Sequence, residues 1–359
     1  MLERVIISGG GTGGHIFPAI AIANEIKLRN SKADILFIGA LGRMEMEKVP
    51  MAGYKIIGLP IAGIQRRLTL TNLLVPFKLI KSIWMARSII KDFKPQMVVG
   101  VGGYASSAVL YAASVSGIST VIQEQNSYAG LTNKILGKRV KKICVAYEGM
   151  ERFFPKDKLV LTGNPVRSEI KEALNISIQT AKESLGYRPD QPLLLVIGGS
   201  LGARTINNSI QNGLDVLHAS GIQLLWQTGK NFKADVKNLE GMKASEFIYD
   251  MKTAYAAADL VVSRAGAISV SELCLLGKPS ILVPSPNVSE DHQTKNALAL
   301  TEKDAAVLIK DSEAATTLVN KVVEILNNKN SLKALGEKIG SLARPNALKE
   351  IVNTIETAL

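Results

Sequence analysis

The chain is short of cysteine. Only Cys144 and Cys274 occur in 359 residues, each inside an apolar run and in no metal-ligand or CxxC spacing, which excludes a disulfide framework and a cysteine metal cluster. Both read as reduced core residues of a cytoplasmic protein. Aromatic residues are few, at 5%. The first residues, Met1-Leu-Glu-Arg-Val-Ile-Ile-Ser8, offer too short an apolar run before Gly9 for a signal peptide, so secretion is not expected. The longest uncharged stretch, Gln96 to Gln123, is interrupted by Gly100, Gly102, Gly103 and several serines, and reads as strand, loop, helix and strand rather than as a membrane span.

What is present fits a folded, anion-seeking protein. Hydrophobic residues make up 47% and charged residues 21%, which excludes disorder, and 359 residues are enough for two domains with a core each. Lys and Arg number 43 against 31 Asp and Glu, a formal net charge of +12. Nucleic acid, anionic lipid and phosphorylated substrates all match that balance.

In chain order, the apolar strand Val5-Ile-Ile7 runs into Ser8-Gly-Gly-Gly-Thr-Gly-Gly-His15, after which Ile16 to Leu28 has helical spacing. Gly9, Gly11 and Gly14 spell the G-x-G-x-x-G dinucleotide fingerprint, but the next strand, Ile35 to Ile38, ends in Gly39-Ala-Leu-Gly-Arg43 with no acid for an adenosine ribose. That counts against a nicotinamide enzyme. His15 opens the first helix, where the positive dipole end keeps an imidazole neutral; it is either a general base or a cap of the turn. A second glycine turn, Gly102-Gly-Tyr-Ala-Ser-Ser107, follows the strand Met97 to Val101. The strand Thr120-Val-Ile122 then leads into the polar cluster Gln123-Glu-Gln-Asn-Ser127, where Glu124 and Asn126 sit at a strand's carboxyl end. Gly163 and Pro165 mark a linker, and Arg167 beside it is either a phosphate clamp or a solvated arginine.

The second half restarts the pattern. Leu193 to Ile197 is a buried strand, Gly198-Gly-Ser-Leu-Gly-Ala203 a third glycine turn in which Ser200 can add a hydroxyl to an anion site, and Ile206 to Leu217 a helix. Leu224 to Thr228 and Glu246 to Tyr249 continue the sheet. Asp259-Leu-Val-Val-Ser263 reads as a strand, Arg264-Ala-Gly-Ala267 as a tight turn, and Ile268 to Leu276 as a helix stopped by Gly277 and Pro279. The helix start favours a diphosphate, and Glu272, one turn further in, can accept two hydrogen bonds from a ribose diol. An ordinary strand-turn-helix unit with a solvated Glu272 has the same spacing. Ile281 to Pro284 ends another strand, Glu290 to Asn296 begins a polar helix, and residues 314–359 form an amphipathic helical tail.

Residues 64 to 94 carry two apolar stripes. Leu73, Phe77, Ile80 and Trp84 form one; Leu79, Ile83, Ala86 and Ile90 form another roughly 120° away. Only one stripe can face a core in a surface helix, and Arg66, Arg67, Lys78, Lys81, Arg87, Lys91 and Lys94 surround them against the single acid Asp92. A helix buried on both sides and a helix docked on an anionic membrane surface both fit.

Seven blocks occur in one order over residues 5 to 300: Gly10-Gly-Thr-Gly-Gly-His15 with Pro18-Ala19, Gly102-Gly-Tyr104, Glu124-Gln-Asn126, Gly163-Asn-Pro-Val-Arg167, Gly198-Gly-Ser200 with Gly202-Ala-Arg204, Ser263-Arg-Ala-Gly-Ala267 with Ser271-Glu272, and His292-Gln293 with Asn296-Ala297. In these the chain resembles the bacterial lipid-II-forming N-acetylglucosaminyltransferases. The resemblance implies an α/β, GT-B architecture: two Rossmann-like parallel-sheet domains facing across a cleft. Residues 1–163 with 342–359 would be the acceptor and membrane-docking domain, and 164–341 the UDP-sugar domain. It implies inverting transfer of N-acetylglucosamine from UDP to the C4 hydroxyl of undecaprenyl-diphospho-muramoyl-pentapeptide (lipid I), without a cofactor and without nucleic acid. The protein would be peripheral on the cytoplasmic face of the cell membrane, serving peptidoglycan synthesis and thereby cell shape and division.

Carried onto this chain, the resemblance puts uracil at the backbone of Ile248, the ribose on Glu272, and the donor sugar at Gln293 and Asn126. Thr12, Gly13 and Gly14 come near the donor. With no Asp-x-Asp pair in the chain to hold a metal, Arg167, Ser200 and the turn of Ala267, Ile268, Ser269, Val270 and Ser271 would carry the charge of the leaving diphosphate. Gly102, Gly103 and Tyr104 would take the acceptor diphosphate, and His15 would be the base with Glu124 as its rival. His292 stands where some relatives have glutamine. A lipid-linked acceptor also favours the exposed stripe of Leu73, Phe77, Ile80 and Trp84, flanked by Lys81 and Arg87, as a docking face. The alternatives are another UDP-sugar-dependent glycolipid synthase of this architecture, a non-catalytic nucleotide-sugar-binding regulator, and a dinucleotide oxidoreductase.

Overall fold

Short runs rich in Val and Ile, bounded by glycine or polar residues, extend rather than coil because branching at Cβ stiffens the side chain. In the computed structural model, which describes residues 2–61, 75–236 and 239–359, such runs form two parallel sheets. The first has seven strands: β1 (Arg4–Gly9), β2 (Asp34–Ala40), β3 (Lys55–Leu59), β4 (Met97–Gly102), β5 (Ser119–Glu124), β6 (Lys142–Val145) and β7 (Leu159–Leu161), in the order β3-β2-β1-β4-β5-β6-β7. The second has six: β8 (Leu193–Ile197), β9 (Gln223–Gln227), β10 (Met242–Ser245), β11 (Leu260–Ser263), β12 (Ser280–Leu282) and β13 (Val307–Leu308), in the order β10-β9-β8-β11-β12-β13. The chain divides into two compact units, Met1–Pro165 with Asn346–Leu359, and Val166–Pro345.

In the first unit, alternation along the strands sends side chains to two faces. Ile6, Leu36, Ile38, Val98 and Ile122 meet the helix Tyr104–Val115 and the buried Ala86 and Ile90 of the helix Val75–Phe93. Val5, Ile7, Ile35, Phe37 and Val99 lie with Ile16, Ile22 and Ile26 of the helix Gly13–Arg29 and with Ile351, Val352 and Ile355 of the helix Ala347–Thr357. Arg29 clasps that last helix, pairing with Glu356 at 2.9 Å and donating to the Lys349 carbonyl at 2.9 Å. In the second unit, Leu194, Val196, Leu224, Trp226 and Val262 pack with Ile206, Ile210, Leu318 and Val322. The buried Trp226 indole donates to Asn207 at 3.2 Å.

Two expectations are corrected. The helix expected over Ile206 to Leu217 is two, Arg204–Asn212 and Leu214–Ala219, because Gly213 leaves helical geometry at φ −108° and its bare Cα lets Val319 pack into the break. Glu246 to Tyr249 is not a strand. β10 stops at Ser245, level with the end of its neighbour β9, and the Ile248 N–H turns to the Gln227 side chain at 3.0 Å.

Each sheet reverses its winding beside its first strand, β1 between β2 and β4, and β8 between β9 and β11. Open parallel sheets take ligands at the carboxyl ends of strands at such points. The glycine turns after β1, β4 and β8 and the turn after β11 all lie there.

Candidate functional site

In the second unit, the helix Ala267–Leu276 follows β11 through Gly266, carries no acid in its first turn, and ends on Gly277 in the left-handed region at φ 59°. Ile268, Ser269, Val270 and Ser271 continue that first turn, and the helical ladder begins where the Val270 N–H donates to the Gly266 carbonyl at 2.9 Å. Glu272 comes next and is only 5% exposed. Its carboxylate accepts from the Tyr255 hydroxyl at 3.0 Å and from the Arg167 guanidinium at 3.4 Å, and Arg167 also pairs with Glu169 at 2.8 Å. Burial pushes the Glu272 carboxyl above the ordinary carboxylate range, against the opposing pull of Arg167 and Tyr255. Tyr255 is pushed well up, first by its own burial and then by the Glu272 charge.

The remaining second-unit residues surround this pair. Ser200 is exposed in the turn after β8, where Gly202, at φ 76°, has no room for a Cβ against the Thr228 carbonyl. Gln227 ties that turn to the segment after β10: its amide donates to the Gly199 carbonyl at 3.0 Å while its oxygen accepts the Ile248 N–H. Gln293 accepts the Ser285 N–H at 2.9 Å, and the buried Asn296 donates to the Ala265 carbonyl at 3.2 Å, fixing the helix His292–Thr301 against the turn after β11. Arg264 spends its guanidinium on Asp311 and the Val283 and Pro284 carbonyls, which makes it a brace of the turn.

In the first unit, His15 and the two glycine turns come together. The Gly10 N–H donates to the Gly102 carbonyl at 3.2 Å. His15 lies over Gly102, where a Cβ would stand 2.8 Å from the ring Nε2; Gly102, at φ 106°, needs glycine on both counts. The His15 Nδ1 is 3.0 Å from the Gly10 carbonyl and 3.4 Å from the Thr12 hydroxyl. Gly13 and Gly14 begin the helix that carries His15, and Gly103 caps the helix opened by the exposed Tyr104.

Glu124 is buried, and its two oxygens accept from four N–H groups: the Asn126 amide at 3.1 Å and side chain at 3.3 Å, the Gly130 amide at 3.1 Å and the Asn133 side chain at 2.8 Å. It therefore organises the loop after β5. On the helix Val75–Phe93, Phe77, Ile80 and Trp84 are 71%, 55% and 70% exposed, beside exposed Lys81 and Arg87, while Ala86 and Ile90 are buried. Leu73, Arg66 and Arg67 lie outside the described residues.

The structure thus joins Arg167 to Glu272, His15 to Gly102, and Asn126 to Glu124. Sequence reasoning missed Tyr255, Gln227 and Glu45, the last of which donates nothing and accepts the Gly11 N–H at 2.9 Å. Tyr255 left a trace: a tyrosine in the run Ala254-Tyr-Ala-Ala-Ala258 is set to be buried, and a buried hydroxyl needs a partner. Among the described residues, no group of three or more His, Cys, Asp or Glu side chains is placed to hold a metal ion, and no helix is long and apolar enough to cross a membrane.

Two family models match the chain: the glycosyltransferase family 28 N-terminal domain over residues 5–145 and the C-terminal domain over residues 193–351. A protein of Cytophaga hutchinsonii named UDP-N-acetylglucosamine--N-acetylmuramyl-(pentapeptide) pyrophosphoryl-undecaprenol N-acetylglucosamine transferase is 58% identical over 98% of this chain and 96% of its own length. One of the same name from Phocaeicola vulgatus is 56% identical over 98% of this chain and 95% of its own length. Among solved structures, Acinetobacter baumannii MurG superposes with a TM-score of 0.80 at 30% identity, covering 99% of both chains.

Proposed function

This chain belongs to glycosyltransferase family 28, and from that membership we infer that it moves N-acetylglucosamine from UDP-N-acetylglucosamine to the C4 hydroxyl of the muramoyl residue of undecaprenyl-diphospho-muramoyl-pentapeptide. Lipid I becomes lipid II in this step of peptidoglycan synthesis. Near-full-length identity to transferases of that name carries the reading.

The second unit takes the donor. Glu272 accepts from the ribose diol, its carboxylate already held in place by Tyr255. Ser200, Arg167 and the first turn from Ala267 to Ser271 receive the diphosphate, Arg167 exchanging a carboxylate for a phosphate oxygen. Uracil is read by the Ile248 carbonyl, since the amide of that residue is engaged by Gln227. Gln293 contacts the sugar. Gly102, Gly103 and Tyr104 take the diphosphate of the acceptor.

His15 is the base. Glu124 is the weaker candidate because its oxygens are engaged by four N–H donors. Nε2 of His15 takes the proton from the C4 hydroxyl, and the oxygen attacks the anomeric carbon opposite the diphosphate. The bond from that carbon to the phosphate oxygen breaks, its electron pair leaves on UDP, and the anomeric configuration inverts.

The protein docks on the anionic cytoplasmic surface of the membrane through the stripe of Phe77, Ile80 and Trp84 beside Lys81 and Arg87. Large exposed apolar side chains next to cations support this, because acyl burial and headgroup attraction add.

UDP release from UDP-N-acetylglucosamine, with and without a detergent-dispersed lipid I analogue, tests the activity. Release that depends on the acceptor is expected, with UDP-galactose inactive. UDP-sugar binding without release would replace the enzyme by a regulator.

A further inference from the structure

Glu45 has no part in the scheme above, yet it is fully buried, with no ion pair to it among the described residues. Burying a carboxylate without a cation is costly, so its setting needs a reason. The sequence makes room for it: a side chain at Gly10 would run into the carboxylate and one at Gly39 into its stem. Its two oxygens accept the Ala40 N–H at 2.9 Å and the Gly11 N–H at 2.9 Å.

The second of these bonds leads to His15. The Gly11 N–H belongs to the same peptide group as the Gly10 carbonyl, which lies 3.0 Å from the His15 Nδ1. A carbonyl only accepts, so Nδ1 carries the proton and Nε2 the lone pair. Neutral imidazole in water favours the opposite tautomer, so this one has to be selected by the partner of the other nitrogen. A carboxylate at the N–H end of a peptide makes its carbonyl a stronger acceptor. We propose that Glu45 is a positioning residue for the transfer reaction: through the Gly10–Gly11 peptide it holds the His15 ring in the Nδ1-protonated form, presenting Nε2 over Gly102 to the acceptor hydroxyl. This rests on the reading of His15 as the base.

The test is the 15N spectrum of the histidine rings in the whole protein at a pH where they are neutral. Only His15, His218 and His292 occur, and the signals lost in H15A identify the first. The wild-type protein shows His15 protonated on Nδ1; in E45Q the ring shifts toward the Nε2-protonated form, and kcat falls about 10- to 100-fold while the KM for UDP-N-acetylglucosamine moves less than about twofold. Wild-type His15 protonated on Nε2 overturns the proposal without any variant. An unchanged tautomer in folded E45Q also overturns it, whatever the loss of turnover, and leaves the base reading intact. A tautomer lost in E45Q with full turnover, or full turnover in H15A, overturns the base reading instead.

Discussion

Glutamine at position 272 separates what this side chain does for the fold from what it does for the donor. It keeps the volume and one carbonyl oxygen, with the oxygen toward Arg167 and the amide toward the Tyr255 oxygen, which accepts as well as donates. Burial raises the Glu272 carboxyl above its ordinary value of 4.5, so the charged form is disfavoured in the folded chain. The stability contributed by a raised carboxyl is present below the unfolded pKa and is lost as pH rises from there through the folded pKa. At neutral pH the ionised group therefore weighs against the unliganded fold, and E272Q is expected to melt no lower than the parent. For the donor the sign reverses. A hydrogen bond to a charged acceptor contributes about 1.5–3 kcal/mol, so UDP affinity falls roughly 10- to 150-fold. Calorimetric titration with UDP and thermal melting, both at pH 7, measure the two effects. Parent affinity also declines on acidification with a component that starts above the pH at which an ordinary carboxyl protonates, and E272Q lacks that component. Unchanged UDP affinity together with a lower melting temperature would refute the assignment, leaving Glu272 a structural group.

Y255F removes a donor from the same buried carboxylate and is expected to cost about 1–3 kcal/mol in chemical denaturation; in the E272Q background that cost shrinks. H15A should keep UDP affinity and melting temperature while kcat drops roughly 10²- to 10⁴-fold, the range of general base catalysis. E124A, by leaving four N–H groups without their acceptor, should instead lose at least about 2 kcal/mol of stability; equal behaviour of the two variants in both assays would undo the division of roles. Charge reversal at Lys81 and Arg87 should weaken sedimentation with anionic liposomes and leave UDP binding alone, and unchanged sedimentation would count against the docking face.

The readable parts of the sequence were those where one local signal settles the matter. An apolar run, a glycine turn and a stop at Gly277 were enough for β11 and the helix after it, because φ 59° at Gly277 is a position glycine takes at little cost. The two stripes of the helix Val75–Phe93 were legible from spacing, and burial sorted them, Ala86 and Ile90 inward, Phe77, Ile80 and Trp84 outward. Glu45 was not legible. It opens a seven-residue helix, Glu45–Met51, with Pro50 inside it, and the pocket that buries it is made by glycines on two other segments. The break at Gly213 was equally hidden, since Val319 comes from a helix far along the chain. Arg167 and Glu272 were each named for a ligand, but their contact depends on tertiary packing that spacing does not encode.

The clasp between Arg29 and the helix Ala347–Thr357 bears on synthesis. Ile351, Val352 and Ile355 line the same core as Ile22 and Ile26, so the core of the first unit stays unfinished until Ile355 has left the ribosome. Val166–Pro345, contiguous in sequence, closes its own core earlier. A chain truncated after Pro345 and released should resist protease over Val166–Pro345 while its first unit is still digested.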